Sequence, residues 1–173
     1  MSDPLQAEHP LVYLTLRMMP PWVFIDELRR FVESFCACAC PDANREAAMA
    51  LAVHELMQNA VPHSHGEEVE LRLEVDPVND RVQVAVSNRC TDEEYDALSE
   101  KIARMNREPD ALAHYLEAMR DTPTATRGGI GLARVRFEAQ LQITLSRSTG
   151  SLTVHAAGKL RAPALQMPRG AIR

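Results

Sequence analysis

The chain has 173 residues, 46% of them hydrophobic and 25% charged, with a formal net charge of −5. That length suits one domain, and a domain of this size removes about 70% of its unfolded surface from water, so neither a disulfide nor a metal is needed for folding. Basic residues neither dominate nor cluster with aromatics, which argues against nucleic acid as a partner. No apolar run approaches the roughly 18 residues of a membrane span, and MSDPLQAEHP at residues 1–10 lacks the basic-then-apolar order of a secretory signal.

Residues 1–10 read as a tail. Residues 11–18, LVYLTLRM, alternate as a strand that Pro20-Pro21 stops. Apolar residues at 24, 25, 28, 31, 32 and 35 then have helical spacing. The cysteines Cys36, Cys38 and Cys40 follow, and in the cytoplasmic setting expected for this chain they are reduced. Their spacing is poor for zinc, which draws ligand pairs from C-x₂₋₄-C with a second pair elsewhere, so small buried or half-buried thiols are expected. Asp42 is positioned to cap a second helix running to about Ala60, with Met49, Val53, Leu56, Met57 and Ala60 as its buried stripe and Pro62 as its limit.

Two strands come next, with Val69, Leu71, Leu73 and Val75 on one face of the first and Val82, Val84 and Val86 on one face of the second. Residues 91–121 read as a polar helical insertion, poor in large apolar residues beyond Leu98, Ile102 and Met105 and therefore mobile. A loop, DTPTATRGG, leads into a short helix over 130–139, and two more strands carry Leu141, Ile143, Leu145 and then Leu152, Val154, Ala156. The tail from Gly158 is expected to be loosely ordered. Helices that fall together and strands that come as hairpins predict an α+β two-layer sandwich, a mixed but mostly antiparallel sheet with helices on one face.

Chemistry concentrates in two places. Glu55 and Asn59 stand four residues apart on the second helix, on one face and roughly 6 Å apart in rise. A carboxylate there can orient an attacking hydroxyl, and a carboxamide oxygen is a hard ligand suited to Mg²⁺. The other is Thr126-Arg127-Gly128-Gly129-Ile130-Gly131-Leu132, which opens a helix after a polar loop. Glycines in that position let backbone N–H groups come close to a phosphate. The segment lacks the strand-to-glycine order of a dinucleotide fingerprint and has no Walker lysine.

In this order the elements resemble the GHKL superfamily of ATPases, to which gyrase, histidine kinases and MutL belong, and within it the anti-sigma-factor serine kinase branch. Residues 55–64, ELMQNAVPHS, look like its N box, and Gly128–Gly131 with Leu132 look like its second glycine box. The long helical insertion before GGIGL looks more specifically like the SiaB-like kinases, which phosphorylate a small acceptor protein in bacterial signalling. The resemblance spans about residues 11–157 and implies the Bergerat ATP-binding fold, ATP and Mg²⁺ as cofactors, and a lid at 91–127. It implies that Glu55 is the catalytic base, that Asn59 is the Mg²⁺ ligand, and that Gly128, Gly129 and Gly131 hold the phosphates, with His63, Asn88, Thr126 and Leu132 completing the nucleotide site. The partner implied is a small regulatory protein, an anti-sigma antagonist or a sigma-like protein, and a homodimer is compatible with it.

One departure stands out. Where the superfamily has D-x-G, this chain has Asn88-Arg89-Cys90. A carboxamide oxygen still accepts a hydrogen bond from the adenine amino group, without the charge assistance of a carboxylate. Cys90 adds a side chain where the family has none, so a catalytically silent binding module is the alternative expectation. Other readings are weaker: His54-Glu55 is followed by Gln58 instead of the second histidine of a zinc protease, and His63 and His65 with Cys90 form only a partial metal set.

Overall fold

The computed structural model describes residues 11–19, 23–40, 42–121 and 130–161. Strand β1 (Val12–Met18) precedes helices α1 (Phe24–Ala39) and α2 (Ala43–Ala60), the hairpin β2 (Val69–Asp76) and β3 (Arg81–Arg89), helices α3 (Asp92–Arg107), α4 (Ala111–Asp121) and α5 (Gly131–Phe137), and the hairpin β4 (Gln142–Ser148) and β5 (Ser151–Lys159). The five strands form one sheet in the order β1-β2-β3-β5-β4. Every pairing among the described residues is antiparallel, so the parallel component expected of a mixed sheet is missing. Two tight hairpins supply two of these pairings, and Gly150, at φ 70°, takes the left-handed position in the second hairpin's turn.

Strand register puts apolar residues in rows across one face. Leu14, Leu73, Val84, Ala156 and Ile143 are successive cross-strand partners, and Leu16, Leu71, Val86, Val154 and Leu145 form the next row. The helices cover this face, and the opposite face carries Glu70, Arg72, Gln83, Ser87, Thr153 and His155. The strand reading thus follows the pleat, because a period of two sorts side chains by face.

Helix α2 lies at the centre. Asp42 caps it by accepting from the Asn44 N–H at 2.9 Å, and Met49, Val53, Leu56, Met57 and Ala60 are all buried, as their spacing predicts. Helix α1 packs beside α2 through Ile25, Leu28, Val32 and Cys36, and leaves Phe24 and Phe31 exposed. Cys36 is fully buried and Cys38 exposed. A hydrogen bond to Cys40 pushes the Cys36 thiol up, with burial adding to the effect. Among the described residues no group of three or more His, Cys, Asp or Glu is placed to hold a metal ion, and no helix is long and apolar enough to cross a membrane.

Two boundaries differ from expectation. The insertion is two helices, because Pro109 ends α3 at Arg107 and Asp110 starts α4 by accepting from the backbone N–H groups of Leu112 and Ala113. At the other end β5 runs to Lys159, pairing Gly158 with Val82, and Leu160 is buried. Order thus continues past residue 157.

Candidate functional site

Helix α2, the sheet and α3 enclose a cavity of about 230 Å³, with Leu56 and Asn59 on one side, Asn88, Leu152 and Val154 on its floor and Leu98 on the other side. Cys90, Glu94, Lys101 and Leu132 also line it. The floor is apolar because Val86, Leu152 and Val154 occupy the inward positions of β3 and β5.

Asn88 takes the next inward position on β3 after Val82, Val84 and Val86, and it is only 5% exposed. A polar side chain on an otherwise apolar strand face needs partners. Its carboxamide nitrogen donates to the backbone carbonyls of Arg89 at 2.7 Å and His63 at 3.3 Å. Both of its N–H donors are therefore spent, which leaves the oxygen as its free hydrogen-bonding group. Cys90, half-buried at the same rim, has its thiol pushed up by burial.

Asn59 lines the cavity one turn before His63, and its buried Nδ2 has no hydrogen-bond partner among the described residues. A buried amide without a partner costs about 1–3 kcal/mol, so this group is one that a ligand would satisfy. A half-turn about the terminal torsion exchanges its nitrogen and oxygen, and the position can present a hard oxygen to a cation. The donor set fits Mg²⁺ in a limited sense. One carboxamide meets the low number of protein ligands this ion takes, and the remainder must come from phosphate oxygens and water.

Glu55 is buried one turn earlier on α2, where α5 crosses. Arg134 of α5 donates from Nη1 to Glu55 Oε1 at 3.0 Å, and its Nε donates to Glu138 at 3.0 Å. The other Glu55 oxygen lies against Gly131, where a Cβ would stand only 2.6 Å away. The reason for a glycine at 131 is therefore close approach of α5 to a carboxylate. Leu132 beside it is buried and lines the cavity. Asn59 and Leu132 thus line the cavity, while Glu55 and Gly131, next to them on α2 and α5, stand behind its wall. Thr126, Gly128 and Gly129 lie outside the described residues.

His63 stands at the rim, and its Nδ1 is 3.2 Å from Glu94 Oε1, while His65 Nε2 is 3.0 Å from Glu94 Oε2. Glu94 also accepts from the Thr91 N–H while Thr91 caps Glu94 in return, a reciprocal capping box at the start of α3. Its carboxyl is held down at about 2 by the hydrogen bonds from His65 and Thr91. The two histidines therefore tie the end of α2 to α3. Further along, Arg147 pairs with Asp92 and lies 4.8 Å from the Tyr95 ring centroid, and Asn106 donates to the Ile143 carbonyl at 2.9 Å. Helix α3 buries Ile102 and Met105, and α4 stacks Tyr115 on Phe137 of α5 with centroids 5.4 Å apart. The insertion is docked through most of α3 and through Tyr115 of α4, while Leu112, Leu116 and Met119 of α4 stay exposed. The charge pattern of the sequence hid these contacts, because Arg136, which donates to the Met105 and Glu108 carbonyls, and Arg147 reach it from distant segments.

A family model described as a histidine kinase-like ATPase domain matches residues 25–136, more than half of the chain. Among solved structures, a chain from the crystal structure of the SiaB–SiaC complex of Pseudomonas aeruginosa superposes with a TM-score of 0.65 at 13% identity, covering 83% of this chain and 88% of that one. At that identity the likeness is one of fold. No curated protein matches.

Proposed function

Because the chain belongs to the histidine kinase-like ATPase domain family, we propose that it binds ATP in the α2–α3 cavity and transfers the γ-phosphoryl group to a serine or threonine hydroxyl of a small regulatory protein. The observation that carries this reading is Asn59, a half-buried carboxamide whose Nδ2 has no partner among the described residues and which lines the same cavity as the acceptor-only Asn88. Asn88, with both donors held by backbone carbonyls, accepts from an exocyclic amino group of the base. The apolar floor of Val86, Leu152 and Val154 takes the ring. Asn59 would hold Mg²⁺ by its oxygen, and the ion would supply charge neutralisation along the phosphates.

Glu55 accepts the proton of the acceptor hydroxyl as its oxygen bonds to the γ-phosphorus, and ADP leaves. Arg134 and the close approach of Gly131 fix the carboxylate for that step, and Leu132 closes the cavity beside it. Phosphoryl transfer depends mostly on positioning and charge, which these residues are suited to provide. A fold neighbour solved in a two-protein complex supports a small protein as the partner.

The Arg134–Glu55 ion pair favours a second reading, because it already occupies Glu55 Oε1, and Glu55 is not among the residues that line the cavity. In that reading the chain binds ATP or a partner without turnover. Calorimetric titration with ATP and Mg²⁺ is the test. Saturable micromolar binding that disappears in Asn59→Ala supports the ATP site, and transfer of labelled phosphate to a protein acceptor, lost in Glu55→Gln, supports the kinase. Absence of any ATP binding would sink both the kinase and the nucleotide site.

A further inference from the structure

Lys101 on α3 is half-buried against the cavity and has no ion pair or hydrogen bond among the described residues. Burial pushes its ammonium down, Arg104 beside it adds repulsion, and no carboxylate offsets either. Taking an ammonium partly out of water without a counter-ion is costly, and most lysines on a solvated helix avoid it by extending outward. An anion arriving from outside would remove that cost.

Its place in the cavity says which part of a nucleotide that anion is. The His63–Glu94 contact joins the end of α2 to the start of α3, next to Asn88. Walking back along α2 and forward along α3 therefore leads away from Asn88, to Leu56 on one helix and Lys101 on the other, and both line the cavity. Ten residues separate Lys101 from the Thr91 cap, about 15 Å of helix. Leu132, next to Gly131 and hence to Glu55, lines the same cavity. The acceptor for a base and the unpaired cation stand at opposite ends.

We propose that Lys101 anchors the phosphates of the bound nucleotide and thereby fastens α3 over the ligand. This rests on the nucleotide reading above and assigns it a cation, Lys101, that lies outside both the glycine segment and the N box. With the lysine engaged, α3 becomes a clasp whose grip depends on the number of phosphates, so ATP and ADP are held and adenosine is not favoured.

The test titrates the full chain with adenosine, ADP and ATP, the nucleotides with Mg²⁺, for wild type, Lys101→Met and Lys101→Arg. Hydrogen bonds to a charged group are worth about 1.5–3 kcal/mol, so Lys101→Met should lose about 10- to 100-fold in affinity for ADP and ATP. Its affinity for adenosine should be unchanged, and Lys101→Arg should recover most of the nucleotide affinity. The methionine keeps the apolar stem, so the ligand-free variant should melt no lower than wild type. If it fails to fold, Lys101→Gln replaces it in the same titrations. Equal loss for adenosine and ADP would make the residue structural, and full retention of ADP affinity would remove it from the site. If wild type binds neither adenosine nor ADP, it is the nucleotide reading that fails, and this inference with it.

Discussion

At Glu55 the chain places a carboxylate between a cation and a glycine, and both neighbours restrict it. Gly131→Ala would put a methyl group 2.6 Å from Oε2, closer than nonbonded atoms come, while Arg134 prevents the carboxylate from swinging aside. The expected outcome is phosphoryl transfer lowered by about 100-fold, the effect of misplacing a reacting group by about 1 Å, with ADP affinity within about threefold of wild type. Steady-state transfer assays beside calorimetry check this, and equal loss in both would show that Gly131 serves the nucleotide directly. Arg134→Met leaves Glu55 buried without its cation. Because the Arg134 side chain is 41% exposed, the cost should fall between surface and buried pairs, about 1–2 kcal/mol in urea unfolding. Neither partner announces the other in the sequence, since they are 79 residues apart.

Helix α3 shows how an element that reads as a solvated surface becomes part of a site. Its first turn is fixed by Thr91 and Glu94, and Glu94 is fixed in turn by His63 and His65. The carboxyl of Glu94 is held at about 2, below its ordinary value near 4.5. A carboxylate lowered on folding stabilises the native state above its unfolded value and loses that contribution as pH falls toward the folded one. Glu94→Gln should therefore be less stable than wild type at pH 6 and converge with it near pH 2, as read from denaturation midpoints along a pH series. Curves that stay parallel across that range would remove Glu94 from the clamp. The same tie predicts that Glu94→Gln loosens α3, with faster hydrogen exchange over residues 92–101 and little change in α2.

Across the whole molecule, the sheet and α2 form one core, and its rows of cross-strand partners concentrate stability. Leu73 lies between Leu14 and Val84 in one such row and is 1% exposed. Leu73→Ala should cost about 2–5 kcal/mol in urea unfolding, whereas Tyr13→Ser, on the outer face of the edge strand at 74% exposure, should change stability by no more than about 0.5 kcal/mol. Equal effects at both positions would mean that β1 covers more than its burial shows.

Local patterns were enough to place α2 and the strands. The Asp42 cap, the 49/53/56/57/60 stripe and the alternation of β2 and β3 follow from periods of 3.6 and two, which depend only on backbone geometry. Asn88 was singled out by the resemblance, as the residue standing where the superfamily has its aspartate, and the structure adds that it takes the next inward position after Val86. The spacing of Glu55 and Asn59 placed them one turn apart on α2, since one helical turn fixes it. The break at Pro109 could have been read from the proline but was masked by the continuous charge pattern around it. Contacts between distant segments were beyond the sequence: Arg134 on Glu55, His65 on Glu94, and Lys101 turned toward a cavity instead of water. Each depends on how α3 and α5 cross α2, and a crossing is set by packing of whole faces, which no single stretch of residues encodes.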